Sequence, residues 1–122
     1  MTNEPTESES GPERSAPQPK RPDPPRPEKL LSIIQFLAPH TEKVIITTHA
    51  QERMAERDIS DLDVYRVLQR GYIKGKIRSG LKEGEWACKV AYKIRGSREI
   101  GVATVVIQTD ALLVSTVEWE DK

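Results

Sequence analysis

Apolar and polar residues follow a helical spacing in the first half of the chain and alternate in the second half. Between residues 28 and 37 the apolar side chains recur at helical spacing, and Pro39 ends this segment because proline cannot donate the next backbone hydrogen bond. Residues 44–47 are apolar and mostly β-branched, which predicts a short buried strand. Two further helices are predicted over residues 48–57 and 60–71.

Residues at the ends of these helices match known capping patterns. Thr48 and Gln51 have the spacing of a capping box, in which the two side chains satisfy free backbone groups of the first turn. Ser60 is predicted to cap the following helix, with two aspartates in its first turn. Gly71 is predicted to end that helix in the left-handed conformation.

The second half of the chain is predicted to be a sheet. Residues 72–78 and 111–118 are expected to be strands, and the apolar run 101–108 is expected to be a central strand buried on both faces. Residues 86–95 alternate strictly, which places one set of side chains in the core. The predicted fold is α+β, with an N-terminal helix, a strand, two helices and a three- to four-stranded antiparallel meander. The predicted core set of residues 86–95 is Trp86, Cys88, Val90, Tyr92 and Ile94.

Composition divides the chain of 122 residues into two parts. Residues 1–28 contain eight of the nine prolines and only two apolar residues, so they are predicted to form a disordered tail. Residues 29–122 are predicted to form one α+β domain. The sequence has no apolar run long enough to cross a membrane and no apolar signal core, which predicts a cytoplasmic protein without membrane attachment.

The net charge is zero, but the charges are unevenly distributed. Residues 66–98 contain ten basic and two acidic side chains, a block that is typical of proteins with phosphate-rich partners. The alternative is a solvated sheet face whose lysines pair with acids of the last strand. One cysteine and two histidines cannot form a four-ligand zinc site, so we expect chemistry without a metal or another cofactor.

Residues 49–60 read HAQERMAERDIS and are followed by a predicted helix, a glycine and a β-meander. This arrangement resembles, over about residues 46–118, a bacterial family of unknown function with the pattern His-Ala-x-x-Arg-Met-x-x-Arg-x-Ile-Ser. Families of this kind are grouped with the RelE/ParE toxin superfamily, whose fold is a strand, two helices and an antiparallel sheet.

The resemblance implies a toxin of a type II toxin–antitoxin pair that is neutralised by a cognate antitoxin protein. Toxins of this kind are often endoribonucleases that act on messenger RNA, including ribosome-associated mRNA. ParE-type members have the same fold and poison gyrase without a ribonuclease site, so fold alone does not decide the activity.

Metal-independent RNA cleavage requires a general base, a proton donor and cations that stabilise the phosphate. Imidazole exchanges protons near neutral pH, which makes His49 the expected base. Arg53 and Arg57 follow it at one-turn intervals and are expected to complete the catalytic set by holding a phosphate. The side chains expected to bind RNA phosphates are Lys89, Lys93, Arg95 and Arg98.

Other interpretations of these residues stay open. His49 would then stabilise only the strand–helix junction, and Arg53 and Arg57 would form ion pairs with neighbouring glutamates. A second interpretation is a non-catalytic module of the same fold, ParE-like or regulatory, that binds nucleic acid or protein. The oligomeric state is open, and the apolar helix of residues 29–37 must bury its surface against the sheet, a second subunit or an antitoxin.

Overall fold

The computed structural model describes residues 23–121, except for the side chain of Arg95. The predicted disordered tail lies mostly outside these residues, and the first helix begins before the predicted tail ends. The elements in chain order are α1 Pro27–Leu37, β1 Val44–Ile46, α2 Thr48–Arg57, α3 Asp61–Arg70, β2 Tyr72–Ser79, β3 Glu85–Arg95, β4 Arg98–Ile107 and β5 Ala111–Trp119, with a short 3-10 turn at Thr41–Lys43.

The strands form one mixed sheet in the order β1-β5-β4-β3-β2. Strands β2 to β5 make an antiparallel meander, and β1 pairs in parallel with β5, with Val44 opposite Leu112. The α+β class is confirmed, but strand count and orientation differ from the expected three- to four-stranded antiparallel sheet. The added parallel strand covers part of the edge of β5 that a meander alone would leave unpaired.

The three helices and one face of the sheet build a single hydrophobic core. Leu30, Ile34 and Leu37 of α1 are buried in it, so α1 buries its apolar stripe within the domain itself. Side chains of the sheet that alternate with the core residues, such as Lys89 and Leu113, point away from the helices. We call this second face the open face; among the described helices, the end of α2 borders it beside β5.

The burial of the β3 side chains agrees with the prediction from sequence, whereas the burial of the β4 side chains does not. Cys88 and Val90 of β3 are buried, and the other members of the predicted core set are partly buried against the same core. In β4, Val102 and Val106 are buried, but Val105 between them is partly exposed. The prediction that β4 is buried on both faces is therefore wrong, because no helix of residues 23–121 lies over Val105 on the open face.

The first turn of α2 is capped by a residue other than the predicted one. Thr47 is the N-cap residue, and its hydroxyl accepts a hydrogen bond of 3.1 Å from the backbone N–H of Ala50. The Gln51 side chain donates instead to the backbone oxygen of Ile46, at 3.1 Å. The capping box predicted at Thr48 is therefore wrong, whereas the predicted cap at Ser60 is confirmed.

Gly71 ends α3, but not in the predicted left-handed conformation. Its backbone is extended, with φ −82° and ψ −171°. A Cβ atom at this position would lie 2.6 Å from the carbonyl oxygen of Val67 and 2.9 Å from a methyl group of Val90. Glycine is needed here because α3 and β3 approach each other closely. The left-handed cap is Asp58, at the end of α2, with φ 58°.

The capping assignment predicts different effects for two adjacent threonines. Thr47→Ala should lower the free energy of unfolding by about 1 kcal/mol, because it leaves a backbone N–H of the first turn without its partner. Thr48→Ala is the matched control, since Thr48 is exposed and its change should stay within about 0.5 kcal/mol. Urea denaturation of both variants measures the difference, and a larger loss in Thr48→Ala would contradict the assignment.

Candidate nucleic-acid interface

Lysines and glutamates form a network on the open face. The Lys74 Nζ atom lies 2.8 Å from Glu99 Oε1 and 3.2 Å from Glu120 Oε1. The Lys89 Nζ atom lies 2.9 Å from Glu120 Oε1 and 3.4 Å from Glu118 Oε2. At these two lysines the basic block is thus paired with acids, two of them from the end of the chain, as the alternative interpretation described. We call these five residues the lysine–glutamate network.

Contacts within the network shift the pKa values of Glu99, Glu120, Lys74 and Lys89. Hydrogen bonds from Lys74 and then Tyr72 lower the pKa of Glu99, and the Tyr72 hydroxyl is 2.7 Å from Glu99 Oε2. Burial would raise the pKa of Glu120, but hydrogen bonds from Lys89 and Lys74 outweigh burial and the pKa is lowered. The same contacts raise the pKa values of both lysines. These carboxylates are therefore ionised and poorly suited to accept a proton at neutral pH.

A cleft of about 380 Å³ lies beside this network, between β2 and β3. Its walls contain four cationic side chains and no carboxylate. Lys76 and Arg78 are exposed, and neither forms an ion pair with another residue of the described part of the chain. Positive charge on this cleft is therefore only partly neutralised. The residues that line this cationic cleft are Lys74, Gly75, Lys76, Arg78, Ala87, Cys88, Lys89 and Ala103.

A β-bulge interrupts β2 beside the cationic cleft. The register of β2 and β3 shifts between Lys74 and Arg78, and Gly75 within the bulge has φ 86°, a conformation that glycine adopts readily. Residues at every second position of a strand lie on the same face, so the basic residues at positions 74, 76 and 78 of this edge strand line the same cleft.

The predicted catalytic residues of α2 share one stripe of the helix. His49 is exposed, and the side chains of Arg53 and Arg57 are about two-thirds buried. Arg53 Nη2 lies 2.9 Å from Glu56 Oε2, and Arg57 Nη1 lies 3.7 Å from Glu56 Oε1. Arg53 Nε and Arg57 Nη1 are buried without a hydrogen-bond partner among residues 23–121. The arginines thus form the ion pairs of the alternative interpretation, and each keeps one unsatisfied nitrogen.

A second cleft, of about 560 Å³, lies between the end of α2 and β5. Trp119 Nε1 donates a hydrogen bond of 3.0 Å to the backbone oxygen of Arg57, which connects the end of α2 to β5. Three carboxylates and two cations line this cleft, which disfavours a phosphate. His49 and Arg53 are not among its lining residues, so the predicted catalytic set is not gathered here. The lining residues are Glu56, Arg57, Lys89, Glu118, Trp119 and Glu120.

Of the predicted RNA-binding cations whose side chains the structure describes, only Lys89 lies in the cationic cleft. Lys93 is exposed on the open face, where its Cα partner is Glu99. Arg98 lies on the helix side of the sheet, with its guanidinium 3.9 Å from the centre of the Trp119 ring and its Nε 3.1 Å from Asp121 Oδ2. The side chains of Lys93 and Arg98 therefore lie on opposite faces of the sheet and do not contact the same ligand. The side chain of Arg95 lies outside the described part of the structure.

The sequence places Lys74, Lys76 and Arg78 in the basic block but does not assign them to a site, because that assignment depends on the register between β2 and β3. A local signal is present in the Lys-Gly-Lys-Ile-Arg string, since a glycine within a strand often marks a bulge.

The described residues do not favour catalysis by the cysteine, the binding of a metal ion or the crossing of a membrane by a helix. Burial raises the pKa of the Cys88 thiol to about 11, so the thiolate needed for nucleophilic attack is scarce near neutral pH. No group of three or more His, Cys, Asp or Glu side chains within residues 23–121 is placed to hold a metal ion. In the same residues, no helix combines the length and the apolar character that crossing a bilayer requires.

The lowered pKa of Glu99 predicts a specific loss of stability in acid. A carboxylate with a lowered pKa in the folded state stabilises the protein above its unfolded-state pKa of about 4.3, and this contribution is lost as the pH falls through the folded-state pKa. The free energy of unfolding should therefore fall more steeply below about pH 4.3 in the wild type than in Glu99→Gln. Urea denaturation at several pH values, with the exposed-loop variant Glu83→Gln as control, measures this. Equal slopes for wild type and Glu99→Gln would contradict it.

Comparison with known families identifies the segment that carries these features. A family model described as Domain of unknown function (DUF4258) matches residues 46–119. The matched segment runs from the end of β1 to the end of β5 and contains the cationic cleft and, except for Glu120, the lining of the second cleft, whereas α1 lies outside it. No curated protein and no solved structure matches the chain significantly. Because the match covers more than half of the sequence, the chain belongs to the DUF4258 family.

Proposed function

We propose that the protein binds RNA through the cationic cleft. The observation that carries this proposal is a concave surface lined by four cations and no carboxylate, on the uncovered face of the sheet. Lys76 and Arg78 give up no ion pair with a described residue when they contact a phosphate. Phosphate contacts of this kind give salt-dependent affinity and little sequence specificity.

The two types of cation in the cleft have complementary roles in this proposal. Lys74 and Lys89 are held by carboxylates at distances of 2.8–3.4 Å, so they supply positive charge at fixed positions. Arg78 presents a planar guanidinium that can form two parallel hydrogen bonds to a phosphate. The exposed amine of Lys76 adjusts to the path of the backbone.

We further propose that the fold is RelE/ParE-like and that the protein is the toxin of a type II toxin–antitoxin system. The order of a strand, two helices and an antiparallel meander supports this proposal. In this role the protein would act in the cytoplasm on messenger RNA, including ribosome-associated mRNA, and a cognate antitoxin would neutralise it.

A second candidate function is metal-independent endoribonuclease activity at the α2 stripe. It is favoured by the exposed imidazole of His49, on the same stripe as two arginines that each keep an unsatisfied nitrogen. In this mechanism His49 removes the proton of a 2′-hydroxyl, whose oxygen attacks the adjacent phosphorus. Arg53 and Arg57 stabilise the negative charge on the phosphate oxygens as the bond between phosphorus and the 5′-oxygen breaks, and the departing 5′-oxygen takes a proton from solvent water.

RNA binding at the cleft predicts a specific dependence on salt. Lys76→Ala and Arg78→Ala should each weaken RNA binding and reduce the slope of log K against log salt concentration by about 0.7, the value for one phosphate contact with a single strand. Arg66→Ala is the matched control, because it removes the same charge from the exposed surface of α3. Fluorescence anisotropy titrations at several salt concentrations measure the slopes. Wild-type protein without salt-sensitive RNA binding would refute the proposal.

Cleavage at the α2 stripe predicts that one of the two histidines is essential. His49→Ala should reduce cleavage of labelled RNA by about 10²- to 10⁴-fold, through the loss of the general base, and should relieve growth arrest on expression. His40→Ala, at the other exposed histidine, is the matched control. The assay is run with and without a chelator. Intact RNA with wild-type protein, or equal cleavage by His49→Ala, would exclude this candidate and leave the binding proposal standing.

A further inference from the structure

The open face also carries a row of apolar side chains that leads into the cationic cleft. Ile45 of β1 is the Cα partner of Leu113, which pairs with Val105, which in turn pairs with Ala87. We call these four residues the apolar row. The next partner of Ala87 is Arg78 of β2, so the row ends at a cation of the cleft.

The side chains of the apolar row are accessible. Ile45 is 49% exposed, and Leu113, Val105 and Ala87 are partly exposed. With neighbouring strands about 4.8 Å apart, the row from β1 to β3 is about 14 Å long. No element of residues 23–121 covers it. Such a contiguous apolar strip offers a surface on which a flat apolar group can lie and exclude water.

The combination of the row and the cleft selects a ligand with two kinds of surface. Its anionic groups must reach the cleft, and its flat apolar groups must lie across the sheet in the direction of β1. A single strand of nucleic acid has both, because its unpaired bases can lie on a protein surface while its phosphates contact cations. In a duplex the base faces are stacked inside, so the row would remain unused.

A membrane surface fits the open face less well. The side chains of the row lie level with the sheet, and the row provides no long aromatic side chain that would enter a bilayer. The carboxylates of Glu99 and Glu118 are on the same face and would repel a sheet of anionic headgroups, whereas a single strand needs to contact only the cleft and the row.

We propose that the open face is a platform for single-stranded RNA, with phosphates in the cationic cleft and bases on the apolar row. This inference rests on the proposed RNA binding and adds its substrate class. Apolar contact with an aliphatic side chain does not depend on which base makes it, so the platform is tolerant of sequence and discriminates between single strands, whose bases are accessible, and duplexes.

The test compares two single strands of equal charge, one with and one without bases, and a duplex. Wild-type protein is titrated at one salt concentration with a single-stranded RNA, an abasic strand of equal length and a duplex of the same sequence. We expect the RNA strand to bind about tenfold more tightly than the abasic strand, since only the RNA can bury the apolar row. Lys76→Ala should weaken the binding of all three.

Variants of the row identify where the bases lie. Ile45→Ser should reduce the preference for the RNA strand over the abasic strand to about twofold. Ile45 is exposed, so the fold should tolerate this change, and Leu113→Ser, checked by circular dichroism, is a second variant. Phe36→Ser is the matched control, because Phe36 is a 73% exposed apolar residue on α1, away from the sheet. It should leave the preference unchanged.

The possible outcomes distinguish failure of the single-stranded RNA platform from failure of the proposed RNA binding by the cationic cleft. Equal affinity of wild-type protein for the RNA and abasic strands would overturn the platform and leave the cationic cleft intact. Absence of salt-sensitive binding to every oligonucleotide would overturn both. Binding to vesicles that contain phosphatidylglycerol, without competition by the RNA strand, would overturn the platform in favour of a membrane surface.

Discussion

The helices cover one face of the sheet, and the side chains that a ligand can reach on the strands lie on the open face. The helices bury the core side of β3, β4 and β5, and the other side of these strands meets water. Small residues such as Ala87 and Ala103 keep that side flat. Charged side chains can therefore lie along it, and a ligand can approach the strands closely.

Acids on β4 and at the end of the chain decide where positive charge persists on the open face. Glu120 lies against Gly101, where a Cβ atom would come within 2.8 Å of the carboxyl carbon, so glycine makes room for a carboxylate between two lysines. The acids neutralise the middle of the sheet, but none of them lines the cleft at the β2 edge. A protein with zero net charge thus presents, within its described residues, a concavity in which Lys76 and Arg78 keep unpaired positive charge.

The sequence predicted the features that depend on local pattern and missed those that depend on distant partners. The helices, the alternation of β3 and the cap at Ser60 follow from periodicity and from side chains a few residues apart. The parallel pairing of β1 with β5 joins residues about 68 positions apart, and no local signal specifies it. Gly71 was assigned to the wrong cause for the same reason, since its constraint comes from Val90 of β3. The cationic cleft depends on the register between two strands, so counting charges identified the basic block without locating the concavity.

Lys89 connects the two clefts and limits how they can work together. It lines both of them and is held by Glu118 and Glu120, which line only the cleft beside α2. A nucleic acid strand that extends from the cationic cleft towards Arg57 therefore meets two carboxylates before it reaches a guanidinium. Electrostatic repulsion along that path favours a strand that runs across the sheet over the uncharged side chains. A phosphate that reaches the stripe of His49 and Arg53 must approach from the exposed side of α2, which makes the binding surface and the proposed cleavage site separate contacts on one ligand.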